Sequence, residues 1–165
     1  MNDATFSIRT ETGALVSSTD IDANVGTGAQ VAVTSLNQDR FAMVWYDQLD
    51  QDITIAVRSV TNTVIRSPLD IDTSAGTNSR VEIATLGDGT NNDKFVVLWY
   101  DQPTSDILAA IYDSSGGQLI APFIVESSPS TTLPVIEAFG KSSATGFRLC
   151  ANRWVVAYTD STGNA

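Results

Sequence analysis

The chain of 165 residues contains no histidine and a single cysteine, Cys150. The absence of histidine removes the commonest general base and the commonest transition-metal ligand, so Ser-His-Asp and Cys-His catalytic arrangements are excluded. One cysteine alone can form neither an internal disulfide nor a cysteine-rich zinc site. The sequence also has no glycine-rich phosphate loop. These absences predict a protein that is not an enzyme.

Basic residues are scarce, with 9 Lys and Arg against 19 Asp and Glu, and the formal net charge is -10. This sign opposes phosphate backbones and anionic lipids, so we expect neither nucleic-acid nor membrane partners. The first ten residues lack the basic start and apolar stretch of a signal peptide, and no apolar run approaches the length that spans a membrane.

An octet that occurs twice dominates what is present. The segment FAMVWYDQ, from Phe41 to Gln48, returns as FVVLWYDQ, from Phe95 to Gln102, and a degenerate copy, WVVAYTD, runs from Trp154 to Asp160. Self-similarity at a fixed spacing is typical of repeat architectures. Residues 1–165 are therefore interpreted as one repeat domain with units at 3–51, 52–105 and 106–165.

Each unit contains four short segments with the composition of strands. Val31 and Val33 alternate with smaller or polar residues, as Val81 and Ile83 do, at the period of two that indicates a half-buried strand. The octet is apolar on both faces, which predicts a strand covered on both sides. The pairs Thr12 and Gly13, Thr61 and Asn62, and Ser115 and Gly116 are interpreted as turns.

The expected fold is all-β and propeller-like, with three four-stranded blade equivalents, or about 12 short antiparallel strands. Within a blade, we expect the strand that contains Val31 to pair with the octet. The octet then pairs with the strand that begins at Asp52, and the segment that ends at Asp72 lies outermost. Aspartates on that outer segment are interpreted as a protection of the edge against aggregation: Asp20, Asp22, Asp70 and Asp72.

The phase of the repeats leaves two strands at each end of the sequence without a complete blade. Three blades are too few to close a ring, since propellers have about four to eight. We therefore expect a homodimer, in which the half-blades of two chains pair reciprocally to give a six-bladed ring. Two alternatives are that the chain is a piece of a longer array and that it is a monomer with its half-blades paired internally.

Three segments, PVIEAF (Pro134 to Phe139), FVVLWYDQ and DILAAIYDSSGGQ (Asp106 to Gln118), carry a family resemblance. They resemble the tandem repeat units of large bacterial secreted and surface proteins, often those with RTX-type calcium-binding regions. The resemblance covers essentially the full length and implies a propeller-like fold and a secreted or cell-surface location. It implies no activity, and this chain is shorter than the arrays it resembles.

Two sets of residues from the repeated octets are candidates for ligand binding: Trp45, Asp47 and Gln48, and Trp99, Asp101 and Gln102. Aromatic rings pack on sugar C–H faces, while carboxylates and amides accept hydrogen bonds from hydroxyl groups, so the expected ligand is carbohydrate. The alternative is that the tryptophans fill the space between blades, where truncation of a buried one would cost about 3–5 kcal/mol.

Two further features complete the candidates. Asp47, Asp50 and Asp52 place three carboxylates in one hairpin, which is a candidate calcium site, although aspartate also favours turns by bonding nearby amides. The loop from Gly140 to Arg153 carries an apolar insert with no counterpart in the other units: Phe147, Arg148 and Cys150. This insert is a candidate binding loop or a cover for a neighbouring blade or the dimer seam.

The function expected from the sequence is that of a non-enzymatic binding or scaffolding module, with glycan as the candidate ligand. The alternative is a purely structural propeller module of a longer bacterial surface protein. A glycosidase that uses paired carboxylates is a third hypothesis.

Overall fold

A computed structural model of the chain describes residues 2–87, 94–129, 134–138 and 153–159. Its strands are β1 (Ala4–Arg9), β2 (Leu15–Asp22), β3 (Gln30–Leu36), β4 (Arg40–Asp47), β5 (Asp52–Ser59), β6 (Val64–Asp72), β7 (Val81–Leu86), β8 (Lys94–Asp101), β9 (Asp106–Asp113), β10 (Gln118–Ser127), β11 (Val135–Ala138) and β12 (Trp154–Ala157). The described residues contain no helix, which confirms the all-β prediction.

The strands form four antiparallel sheets. Two are complete four-stranded sheets with the orders β3-β4-β5-β6 and β7-β8-β9-β10, here called the first and second full sheets. Two have only two strands, β1-β2 and β11-β12, here called the first and second terminal sheets. The strand order expected within a blade is therefore present in both full sheets.

The two full sheets use the same strand register. Trp45 on β4 lies opposite Thr54 on β5, and Trp99 on β8 lies opposite Leu108 on β9. These are equivalent positions in the repeats. By the same equivalence, β1 and β2 correspond to the third and fourth strands of a full sheet, whereas β11 and β12 correspond to its first and second strands. The terminal sheets are thus complementary halves of one full sheet.

The turns between the third and fourth strands fall where the sequence placed them. Their second residues all have positive φ: Gly13 at 85°, Asn62 at 65° and Gly116 at 81°. Glycine and asparagine adopt this left-handed region at the lowest steric cost, and that property is what made the turns recognisable.

The octet strands occupy the centre of the stack. All residues from Ala42 to Asp47 on β4 and from Phe95 to Asp101 on β8 are buried, as the apolar character of both faces predicted. Alternate side chains of β4 point in opposite directions. Val44 and Tyr46 belong to the core between the full sheets, and Met43 and Trp45 belong to the core that the first terminal sheet covers.

Three apolar clusters join the sheets in chain order. One joins the first terminal sheet to the first full sheet, the second joins the two full sheets, and the third joins the second full sheet to the second terminal sheet. Strand β3 packs beside β7, and β7 beside β11, so the first strands of successive sheets lie along one side of the stack. Within the described part of the chain, no helix has the length and apolarity needed to cross a membrane.

Candidate functional site

The two octet tryptophans lie between sheets and are fully buried. The Trp45 indole Nε1 donates a hydrogen bond of 2.9 Å to Oδ2 of Asp22, at the end of β2 in the preceding sheet. Trp99 makes the equivalent bond of 2.8 Å to Oδ2 of Asp72, at the end of β6. Neither indole offers a face to solvent on which a sugar could stack. This geometry fits the alternative interpretation, in which the rings fill the space between sheets.

A third hydrogen bond of this kind, here called a joint because it links two neighbouring sheets, is made by different residues. Tyr158 follows β12 at the position of the tryptophans, and Glu126, the second-last residue of β10, stands at the position of the aspartates. The Tyr158 hydroxyl donates a 2.6 Å hydrogen bond to Oε2 of Glu126. At this third junction between sheets, a phenol therefore takes the place of the indole, and the acceptor is again a carboxylate. The aspartates interpreted as edge protection include two, Asp22 and Asp72, that belong to these joints.

The octet glutamines hold the loop that leads out of the preceding sheet. Oε1 of Gln48 accepts a hydrogen bond from the Gly28 backbone amide at 2.7 Å, and the backbone N–H of Gln48 donates to the Val25 carbonyl at 3.0 Å. Oε1 of Gln102 accepts a hydrogen bond from the Thr77 amide at 2.6 Å. The glutamine side chains are thus engaged with the protein's own backbone.

The octet tyrosine points the opposite way from the tryptophan. The Tyr46 hydroxyl donates a 2.6 Å hydrogen bond to the carbonyl of Gly76, in the loop that enters the second full sheet. Burial, followed by the charge of Asp47, raises the pKa of the Tyr46 phenol, so the hydroxyl remains a donor. Adjacent residues of one strand therefore bond the sheets on both sides.

The octet aspartates close their own turns. Oδ1 of Asp47 accepts hydrogen bonds from the amides of Leu49 and Asp50 at 2.8 and 3.2 Å. Oδ2 of Asp101 accepts a 2.6 Å bond from the Thr104 hydroxyl. Burial raises the pKa of Asp101, against the lowering effect of that hydrogen bond. Both aspartates therefore close turns, which is the alternative interpretation given above for Asp47.

The acidic hairpin proposed for calcium contains carboxylates that repel one another. Burial raises the pKa of Asp52, and the charges of Asp70, Asp50, Asp47 and Asp72 raise it further. Nowhere in the described residues do three or more ligating side chains converge as a metal would require. The calcium site at Asp47, Asp50 and Asp52 stays a prediction. The loop-insert candidates Phe147, Arg148 and Cys150 lie outside the described residues.

Sequence reasoning missed an exposed apolar face on the first full sheet. Val31 and Val33 on β3 are 50% and 63% exposed, whereas their counterparts Val81 and Ile83 on β7 are 5% and 8% exposed. The counterparts are covered because β3 of the preceding sheet packs beside β7. The first terminal sheet has no strand in the corresponding place, so the same residues of β3 are left bare.

This face forms one wall of an apolar groove of about 370 Å³ beside β1. The groove is lined by Thr5, Phe6, Ser7, Ile8, Val31, Val33, Phe41, Met43 and Val60. Its position is that of the first two strands of a full sheet.

The second terminal sheet presents a matching apolar surface. Ile136 and Val156 point toward the second full sheet and pack against it. On the opposite face Val135 and Val155 are 56% and 47% exposed. Ala157 lies on that outer face as well, along a shallow depression of about 260 Å³. One unpartnered surface therefore lies on the first full sheet beside the first terminal sheet, and the other lies on the second terminal sheet.

A smaller polar recess, of about 160 Å³, lies where β3 and β7 begin. It is lined by Gly28, Gln30, Tyr46, Gln48, Thr77, Asn78, Ser79 and Arg80. Amide and guanidinium groups give it hydrogen-bond donors, and the guanidinium of Arg80 is a positive charge in a strongly acidic chain.

These features define an all-β protein of stacked antiparallel sheets, joined by repeated aromatic–carboxylate hydrogen bonds and ending in two half sheets. Comparisons of the chain with protein-family models, with curated proteins and with solved structures find no match.

Proposed function

We propose that this chain is a non-enzymatic scaffolding module that closes with a second copy into a six-bladed, propeller-like ring. The observation that carries the proposal is that its terminal sheets are the two complementary halves of the four-stranded sheet that it builds twice. In this assembly the first terminal sheet of each chain and the second terminal sheet of the other complete one blade.

Physical considerations support completion of the half sheets. An isolated two-stranded antiparallel pair is marginally stable in water, and an unpaired edge invites other strands. Each chain carries two full sheets and two halves, so two chains supply six blades, within the usual range of about four to eight. A two-fold axis makes both junctions identical.

The molar mass in solution tests this proposal. Light scattering coupled to size-exclusion chromatography should give twice the 17.6 kDa of one chain at micromolar concentration. A mass of 17.6 kDa across the accessible concentration range would contradict the dimer. That outcome would favour the alternative in which neighbouring repeats of a longer bacterial surface protein complete the same sheets.

The polar recess supports a second candidate function, the binding of a polar ligand such as a carbohydrate. Its donors come from loop and strand-end residues, which a rigid stack of sheets holds in place. A glycan array should then show binding that is lost in Arg80→Ala and kept in Arg66→Ala, a change of another partly buried arginine outside the recess. An array without binding would contradict this second function and leave the scaffolding proposal intact.

A further inference from the structure

We infer that the β11–β12 hairpin of a second copy docks in the groove beside β1, with β12 pairing antiparallel to β1. The register is the one that joins the second and third strands in both full sheets. This inference rests on the proposed dimer and specifies the atoms that form it.

The register follows from the repeats. Ala42 on β4 lies opposite Val57 on β5, and Val96 on β8 lies opposite Ile111 on β9. The equivalent residues in the terminal sheets are Val155 on β12 and Ile8 on β1. Since two full sheets of different sequence share one register, the same register places Val155 of one copy opposite Ile8 of the other.

Side-chain direction agrees with this register. Within β11–β12, Val135 and Val155 project away from the hairpin's own chain, and they correspond to Ala32 and Ala42 of the first full sheet. Ala42 is fully buried against the second full sheet. In the docked arrangement, Val135 and Val155 therefore cover Val31 and Val33 of the other copy, as Ala32 and Ala42 cover Val81 and Ile83 within the chain.

One polar contact is expected at the same seam. The hydroxyls of Thr34 on β3 and Thr85 on β7 are hydrogen bonded at 2.8 Å between the two full sheets. Strand pairing makes Glu137 the equivalent of Thr34 and Ser35 the equivalent of Thr85. The Glu137 carboxylate of the second copy then accepts a hydrogen bond from the Ser35 hydroxyl, which gives a charged residue on an apolar hairpin a partner.

Strand β1 is already fixed against the groove. Phe6 packs edge-on against Phe41 with ring centroids 5.2 Å apart, and the Arg58 guanidinium lies 5.6 Å from the centroid of the Phe6 ring. Among the described strands β1 pairs with β2 alone, so its other edge is the one that borders the groove. The groove is therefore formed before the hairpin arrives.

A cysteine pair tests the register. In a Cys150→Ser background, Ile8→Cys with Val155→Cys should form disulfides between copies under mild oxidation, because opposed antiparallel residues have Cα atoms about 4.5–5.5 Å apart, within disulfide range. The matched control is Ile8→Cys with Val156→Cys. A shift of one residue turns the side chain to the other face of the strand, so this control should not cross-link.

The outcomes separate this inference from the proposed dimer. A cross-linked dimer with the first pair alone supports the register. A dimer by light scattering that cross-links with neither pair, or with the control pair, overturns the register and leaves the dimer standing. An intramolecular disulfide in a monomer overturns both, because β12 then pairs with β1 of its own chain.

A second variant keeps the test independent of cysteine chemistry. Val33→Asp should raise the dimer dissociation constant at least tenfold while the circular dichroism of the folded β-protein is retained. Val64→Asp, on the outer strand β6, is the control because Val64 is 48% exposed and lies outside the groove. Equal dissociation constants for the two variants would overturn docking in this groove.

Discussion

The Trp45 indole and the Asp22 carboxylate are joined by a 2.9 Å hydrogen bond that crosses from one sheet to the next. The partners are 23 positions apart in the sequence and belong to different sheets. Trp99 with Asp72 and Tyr158 with Glu126 repeat the relationship at the next two junctions. The repeated octet thus supplies the aromatic residue that binds each sheet to the one before it.

Removal of the acceptor at one junction should destabilise the stack. Asp22→Ala leaves the buried indole N–H of Trp45 without a partner, and we expect a loss of about 1–3 kcal/mol in the free energy of unfolding. Asp22→Asn keeps an acceptor oxygen and should lose less. Urea denaturation followed by far-UV circular dichroism measures both. Equal losses for the two variants would show that the hydrogen bond to the indole is not what stabilises the junction.

The loop that enters the second full sheet leaves no room for a side chain at Gly76. Its φ is +86°, and a Cβ there would lie 2.7 Å from Cβ of Gln102. Gly13, with φ +85°, has no atom within 4 Å of the same position. Gly13→Ala should therefore cost only the left-handed strain, about 1–2 kcal/mol.

Gly76→Ala should cost the same strain and the displacement of Gln102 in addition. Thermal unfolding of the two variants compares these costs directly. A melting temperature for Gly76→Ala equal to or above that of Gly13→Ala would contradict the close approach of loop and turn.

The acidic hairpin should make stability depend on pH. Burial and neighbouring carboxylates raise the pKa of Asp52 above its ordinary value of 3.8, so ionisation is harder in the folded chain than in the unfolded one. The contribution of Asp52 to the free energy of unfolding is therefore most favourable below pH 3.8, and it is lost as the pH rises through the folded-state pKa.

Asp52→Asn should accordingly raise the melting temperature at pH 7, and the gain over the unmodified chain should shrink toward pH 4. Differential scanning calorimetry across this range tests the sign. A variant that melts lower at pH 7, or a gain that grows on acidification, would contradict it.

Fluorescence should report the burial of the octet tryptophans. In Trp154→Phe the remaining emission comes from Trp45 and Trp99, which are both fully buried. We expect a blue-shifted spectrum, poor quenching by acrylamide and no change when sugars are added. Efficient quenching, or a sugar-dependent shift, would contradict the buried position and favour the hypothesis that these indoles bind sugar.

Local sequence signals predicted the all-β class, the strands and the turns. Alternation of apolar residues placed the strands, and left-handed residues such as Asn62 marked the turns. The hydrogen bonds between sheets could not be predicted from the sequence. An aromatic residue, an acid and an amide in one turn suit a sugar site and an inter-sheet contact equally well. Only the three-dimensional position of Asp22 beside Trp45 distinguishes the two.

The exposure of the apolar face on β3 could not be predicted from the sequence, for a different reason. Val31 and Val81 stand in equivalent positions of two segments with the same alternation of apolar residues, so this alternation does not separate them. Their exposure differs because one sheet follows a complete neighbour and the other follows a half. Position within the stack, rather than residue type, decides which valine meets solvent.

The three apolar clusters each join consecutive sheets, which gives the chain a nearest-neighbour cooperativity like that of solenoid arrays. In a free chain, fraying would begin at the outermost hairpins and work inward, and amide hydrogens of β4 and β8 would exchange last. Closure of the proposed ring would remove both starting points. A chain that can unfold from either end would then unfold only after a contact between two adjacent sheets of the ring has opened.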